Sequence, residues 1–166
     1  MPAVASVALM VLLAVNPTAL QDLLFSAESI DAPILRAGAT FDLNAASVVK
    51  PAISGSFSLY EEDGVWLEQG DGHVAFTVSS SDPAEAVEFA VSALSPGTTL
   101  EILVPQTGLR KSFVVDDGST ILGVPIPTSG LVSLAIRCSS GPGRPDLGRD
   151  VRDLCAKFYS MRLVSL

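Results

Sequence analysis

The residues best suited to chemistry lie between Tyr60 and Asp71, a stretch with five carboxylates, one tyrosine and the only tryptophan. The carboxylates are Glu61, Glu62, Asp63, Glu68 and Asp71. An aromatic ring can stack on the face of a sugar, and carboxylates accept hydrogen bonds from sugar hydroxyls. The stretch therefore predicts a glycan-binding site made of Tyr60, Glu61, Glu62 and Trp66.

Trp66 has two interpretations. Its indole either stacks on a sugar ring or is the large side chain that fills the core. Alternation along a strand puts Trp66 on the face opposite Val65 and Leu67, so one face of this strand is partly covered in either case. The sequence favours the core for Trp66 and leaves the glycan interpretation open.

The sequence offers few residues and motifs typical of catalysis. The only histidine, His73, lies on a predicted strand, where a surface or core role is more common than a catalytic one. Motifs of nucleophilic esterases, zinc peptidases and phosphate-binding loops are absent from the sequence. A small glycosidase is the remote alternative, but its two carboxylates need a fixed separation inside a cleft. The sequence predicts no catalytic residue and no enzyme. The four acids available to that alternative are Glu61, Glu62, Glu68 and Asp71.

Clustered carboxylates also suit calcium, which prefers hard oxygen ligands, but their spacing matches no EF-hand loop. A structural calcium ion is thus the one cofactor that the sequence leaves open. Cys138 and Cys155 fit no metal motif, since no Cys-x-x-Cys is present. In an oxidising compartment they would form a disulfide that stabilises the fold by about 3 kcal/mol. Two buried free thiols are the equal alternative.

Asp150 and Arg152 lie in a polar segment of alternating charge that follows a Gly/Pro-rich loop. Such segments usually form local salt bridges that anchor the loop. A role for both residues in binding a ligand is the second interpretation.

The elements that position these residues are short strands. Turn signals at Asp63-Gly64 and Asp71-Gly72 divide Gly55–Val78 into three segments of a β-meander. Further alternating segments follow, separated by turn clusters every 8 to 12 residues or so, to give about eight or nine strands. This pattern predicts an all-β fold, a two-layer antiparallel β-sandwich of jelly-roll type. The predicted later strands are 86–94, 100–104, 109–115, 120–126, 130–137 and 157–166.

The chain begins with an apolar run, Ala3–Val15, whose 13 residues are fewer than the roughly 20 that cross a bilayer. It lacks the basic residues of a signal peptide. We interpret residues 1–17 as a membrane-helix remnant or anchor, 18–36 as a connector and 37–166 as the sandwich. A segment packed on the domain is the alternative.

The net charge of −8 argues against nucleic acid as a partner. It is unevenly distributed, because residues 1–105 hold 13 acids and 2 bases whereas residues 106–166 hold 5 acids and 8 bases. Ion pairs between early and late strands are the expected consequence.

Two motifs carry a family resemblance: Tyr60–Trp66, reading YEEDGVW, and Pro145–Leu154, reading PDLGRDVRDL. With the alternating strands, they resemble the extracytoplasmic C-terminal β-sandwich domains of bacterial multispanning glycosyltransferases and related membrane sugar-processing proteins. Two positions depart from that pattern. Val65 stands where arginine is common, and Cys155 stands where glycine usually follows the leucine.

The resemblance implies a non-catalytic accessory module that binds glycan or supports a membrane-embedded glycosyltransferase. It also implies a location outside the cytoplasm, tethered to the membrane through residues 3–15. A purely structural protein-interaction module is the alternative function.

Overall fold

Ten β-strands make up the computed structural model, which describes residues 32–49, 52–141 and 153–165. The strands are β1 (Ile34–Leu35), β2 (Thr40–Asp42), β3 (Ile53–Tyr60), β4 (Val65–Val78), β5 (Ala86–Ala93), β6 (Thr98–Val104), β7 (Leu109–Val115), β8 (Thr120–Pro125), β9 (Gly130–Ser139) and β10 (Leu154–Val164). Within these ranges no helix has the length and apolarity needed to cross a membrane. The predicted apolar segment 1–17, most of the connector 18–36, Asp150 and Arg152 lie outside the described residues.

The strands form one hydrogen-bonded path in the order β7-β6-β9-β4-β10-β5-β8. Strand β4 belongs to both layers of the sandwich, because Val65–Glu68 pair with β10 and Gly70–Val78 pair with β9. The first layer is therefore β8-β5-β10 with the start of β4, and the second is the end of β4 with β9-β6-β7. Strand β3 pairs with β4 in both parts.

The predicted all-β jelly-roll sandwich is confirmed, and alternation is the reason that the sequence reveals it. In β4 to β6, apolar side chains at every second position point inward, as a pleated strand requires. Phe57, Phe89 and Phe158 meet edge to face in the core, with ring centroids 5.3 and 5.7 Å apart. One pairing differs from the expected antiparallel pattern, since β1 runs parallel to β4. Strand β1 also lies within the stretch that the sequence assigned to the connector.

The predicted turn at Asp71-Gly72 is wrong. Both residues lie inside β4, a single strand of 14 residues that pairs with β9 through this region. Gly72 serves close packing instead, because a Cβ there would lie 2.6 Å from the Leu67 side chain and from the Phe57 ring. The unusual backbone is at Gly70, whose φ of 130° favours glycine.

Cys138 and Cys155 form a disulfide, with their Cα atoms 6.2 Å apart. Both residues are buried. Cys138 pairs with Gly70 across β9 and β4, whereas Cys155 lies at an irregularity in the pairing of β10 with β4. The bond thus joins the two strands that flank β4 on either side of its passage between layers.

We predict that Gly72→Ala destabilises the fold by about 1–3 kcal/mol, because the new methyl group overpacks the core against Leu67 and Phe57. Gly123→Ala in strand β8 is the matched control, since a Cβ there meets nothing within 4 Å. Urea denaturation of both variants measures the difference. Equal stabilities of the two variants would contradict the packing role of Gly72.

Candidate functional site

Trp66 lies on the outer face of the first layer. Its neighbours in β4, Val65 and Leu67, are fully buried, whereas the indole is half-buried. The core interpretation of Trp66 is therefore wrong. Trp66 does lie on the face opposite Val65 and Leu67, as alternation predicts, but the inward face is that of Val65 and Leu67. Phe57, Phe89 and Phe158 fill the core beneath them.

Lys157 is the centre of this face. It lies in β10 directly opposite Trp66 and is only 7% exposed. Its Nζ donates to Oε2 of Glu61 at 2.5 Å and to Oδ1 of Asp63 at 2.6 Å. The same ammonium is 5.6 Å from the centroid of the Trp66 ring and 5.7 Å from that of Tyr159. One buried cation thus holds two carboxylates and contacts two aromatic faces.

Tyr159 reaches the same face through an irregularity in β10. The pairing of β10 with β5 shifts between Phe158 and Ser160, so Tyr159 is the additional residue there. Its hydroxyl forms a hydrogen bond of 2.7 Å with Oγ of Ser92, which pairs with Lys157 across β5 and β10. Trp66, Lys157 and Ser92 therefore form a row across three strands, with Tyr159 beside it.

The turn between β3 and β4 positions the two carboxylates. The Glu61 N–H donates to the Gly64 carbonyl at 2.8 Å, which closes the turn predicted at Asp63-Gly64. A Cβ at Gly64 would lie 2.7 Å from the Phe158 carbonyl oxygen and 3.0 Å from Cε of Lys157. Glycine is thus needed for the turn to approach Lys157 closely.

The loop before β3 supports this turn from its other side. The side-chain amide of Asn44 donates to the Glu62 carbonyl at 3.0 Å, and the Ala45 N–H donates to the Glu61 carbonyl at 3.2 Å. The turn therefore contacts both the loop before β3 and strand β10, and the backbone that carries its two carboxylates is fixed.

The electrostatics of the cluster favour its charged form. The hydrogen bond from Lys157, together with its positive charge, lowers the pKa of Asp63. Burial alone would lower the pKa of Lys157, but hydrogen bonds to Asp63 and Glu61 outweigh burial and raise it. Across neutral pH the ammonium and the Asp63 carboxylate therefore both carry charge.

The predicted glycan residues are only partly brought together. Glu61 and Trp66 meet at Lys157, but Tyr60 packs against the core, and its burial raises its pKa. Glu62 is exposed at the tip of the turn. The sequence analysis missed four residues of this site: Lys157, Tyr159, Ser92 and Asp63. One signal did point to a partner such as Lys157, namely the excess of basic over acidic residues after residue 105.

The remaining acids have separate partners. Oε1 of Glu68 accepts from the Ser58 hydroxyl at 2.5 Å. Asp71 lies beyond Gly70 and binds Arg137 through both oxygens at 2.7 and 2.9 Å, and this hydrogen bonding lowers the pKa of Asp71. In the part of the chain that the structure describes, no three His, Cys, Asp or Glu side chains are grouped as a metal site.

Comparison with known proteins adds information on the fold. No family model matches the chain, and no curated protein matches it. A family two carbohydrate esterase from Cellvibrio japonicus is 11% identical with a TM-score of 0.52, and the match covers 77% of this chain and 34% of the esterase. This chain thus spans about a third of that protein, and the likeness shows a shared β-sandwich fold.

Two carbohydrate-binding modules are similar at lower scores. Module CBM36, solved with calcium and xylotriose, is 14% identical with a TM-score of 0.49, covering 75% of this chain and 98% of the module. Module CsCBM6-3 from Clostridium stercorarium, solved with cellobiose, is 9% identical with a TM-score of 0.47, covering 82% of this chain and 99% of the module.

We predict that the stability difference between wild type and Lys157→Met depends on pH at both extremes. Asp63 has a lowered folded pKa, so its contribution is present above its ordinary pKa of 3.8 and is lost as pH falls through the folded value. Lys157 has a raised folded pKa, so its contribution is present below 10.5 and is lost as pH rises through the folded value.

Thermal melting across pH measures that difference, which we expect to be constant at intermediate pH and to shrink at both ends. Asp71→Asn is the control, because Asp71 pairs with Arg137 in the other layer and its loss leaves the alkaline limb unchanged. A difference that stays constant into strong acid and strong alkali would contradict the coupling of Lys157 to Asp63.

Proposed function

We propose that this domain is a non-catalytic accessory module that binds glycan on the outer face formed by Trp66, Tyr159 and the carboxylates held by Lys157. The observation that carries the proposal is the half-buried Trp66 ring on the outer face, beside a second aromatic ring and two fixed carboxylates. Stacking surfaces and hydroxyl acceptors are the groups that recognise sugars. Because strands and hydrogen bonds fix these groups, little conformational entropy is lost when a ligand binds.

The pKa of Asp71 argues against this residue as the general acid of a glycosidase. Such an acid needs a raised pKa, so that it holds a proton at neutral pH. The hydrogen bond from Arg137 lowers the pKa of Asp71 instead. Glu61 and Asp63 share the single ammonium of Lys157 as their ion-pair partner.

The fold and the earlier resemblance support a role in glycan processing. The esterase that shares this fold is, by its name, a protein that acts on carbohydrate. We propose that the module supports a membrane-embedded glycosyltransferase outside the cytoplasm and is tethered through residues 3–15. The Cys138–Cys155 disulfide favours such an oxidising location, since cytosolic proteins rarely keep one.

We predict that Trp66→Ala weakens glycan binding at least about tenfold through lost stacking, with a stability loss below about 1 kcal/mol. The small stability loss is expected because Trp66 lies outside the core. Phe113→Ala is the control for binding alone, since Phe113 is also a half-buried aromatic with a lysine 5.8 Å from its centroid, but it lies in β7 and packs against the core. A glycan array and thermal melting of the three proteins give both quantities.

The result that overturns the proposal is a wild type that binds no glycan on the array. Equal loss of binding in the Trp66 and Phe113 variants would also reject this face as the site. In either case a structural protein-interaction module becomes the better account.

We also predict that residues 1–166 separate with the membrane fraction of cells and that residues 18–166 do not, because the apolar run Ala3–Val15 partitions into lipid. Fractionation followed by immunoblotting compares the two chains. Equal partitioning of both would contradict tethering through residues 3–15 and would leave the glycan site untouched.

A further inference from the structure

The two ends of the sheet path, β7 and β8, lie close to each other. Residues 116–119 join the two strands, and the side chain of Lys111 in β7 reaches Gly123 in β8. Within the described residues, β8 pairs with β5 alone and β7 pairs with β6 alone. An edge strand presents unpaired N–H and C=O groups, which are a template for pairing with another chain. This side of the domain is therefore where self-association through strands would occur.

Alternate residues of β8 direct their backbone groups toward this open edge. The N–H of Ile126, directly after β8, donates to the Glu85 carbonyl, directly before β5, at 3.0 Å. Because the direction of these groups alternates along an antiparallel strand, the backbone groups of Leu122 and Val124 also face β5. The residues between them face the open edge: Ile121, Gly123 and Pro125.

Two of these three residues cannot join a complete ladder. Pro125 has no N–H to donate. The Gly123 carbonyl accepts a hydrogen bond from Nζ of Lys111 at 3.2 Å. The third residue, Ile121, has a β-branched side chain that is 61% exposed and suits a strand interface. The edge thus has an apolar residue that favours pairing, followed by positions that prevent it.

Lys111 is placed for this contact by the inner face of β7. It alternates with Arg110 and Ser112, which are exposed, and shares its face with Leu109 and Phe113, which pack against the core. Its ammonium is 5.8 Å from the centroid of the Phe113 ring. An inward-pointing charge at the edge of a sheet hinders pairing, because an added strand would displace it or bury it.

We infer that Lys111 and Pro125 keep the β8 edge closed to β8 of a second copy of this chain. A second copy fits this edge because two β8 strands can run antiparallel about a twofold axis at Gly123. Each Gly123 N–H then meets the Gly123 carbonyl of the other copy, and Ile121 lies opposite Pro125. Lys111 occupies the carbonyl at the centre of that ladder, and Pro125 removes a donor at its end. The inference does not depend on whether the face around Trp66 binds glycan.

Self-association of wild type, Lys111→Met, Pro125→Val and the double variant tests the inference. Lys111→Met frees the Gly123 carbonyl, and Pro125→Val restores an N–H at the edge. Each change adds one hydrogen bond per copy to a symmetric dimer, so we expect each single variant to associate at least about tenfold more tightly than wild type. The double variant should associate most tightly. Sedimentation velocity over a range of concentrations measures the association of the full chains.

The comparison needs two controls. All proteins are kept in the same mild detergent, so that association through the apolar run Ala3–Val15 is common to them. Arg110→Met is the matched variant, because Arg110 has the same charge and is adjacent in β7 but pairs with Glu101 in β6. It should associate as wild type does. Hydrogen exchange locates the interface, since the Gly123 amide should exchange at least about tenfold more slowly in the associated double variant than in wild type.

Thermal melting shows whether each variant folds. If Lys111→Met does not melt cooperatively, Pro125→Val still tests the edge, because it retains Lys111. A Pro125→Val variant and a double variant that associate no more tightly than wild type overturn the inference. An increase for Arg110→Met as large as that for Lys111→Met also overturns it. Association that leaves exchange of the Gly123 amide unchanged has the same meaning, since the new contact then lies elsewhere.

Discussion

Strand β4 is shared by both layers of the sandwich, and the position of every group in the candidate site depends on this. Its first residues pair with β10 and its later residues with β9, so the chain passes between layers near Gly70, whose φ of 130° favours glycine. The Cys138–Cys155 disulfide joins the two strands that separate at that point. As a result, Trp66 and Asp71 lie on different layers although only five positions separate them. Trp66 contacts Lys157, and Asp71 binds Arg137.

Lys157 shows how the fold tolerates a buried cation on a sheet face. Removing an ammonium from water is costly unless carboxylates and hydrogen bonds compensate, and Glu61 and Asp63 supply both. The rings of Trp66 and Tyr159 lie 5.6 and 5.7 Å from the ammonium, where their faces also attract its charge. The ion pairs among the described residues all join an acid before residue 106 to a base after it, as the uneven charge of the chain predicted. They are Lys157 with Glu61 and Asp63, Arg137 with Asp71, and Arg110 with Glu101.

Alternation made the fold accessible from the sequence, whereas most of the site was not. Period-two patterns mark buried faces, and the predicted strand 109–115 matches β7 at both ends. The Asp-Gly pair was a weaker signal for turns. It forms a turn at Asp63-Gly64, but Asp71-Gly72 lies within β4, where close packing explains the glycine. Local pattern also left open which face of β4 is inward, so Trp66 was assigned to the core. Lys157 was missed because it reaches Glu61 across 96 positions of sequence, a contact that only the sheet pairing creates.

The site combines residues of three strands with one turn that is held by hydrogen bonds, and this bears on what it can do. Groups fixed by a sheet keep their geometry without a ligand, which suits repeated recognition of a rigid sugar ring. A glycosidase, by contrast, needs a general acid that keeps its proton at neutral pH, and burial away from water is what raises the pKa of such a group. At this site Lys157 instead stabilises the charged form of Asp63, and the ring of Trp66 remains partly in solvent. Both features are those of the open binding face that we propose.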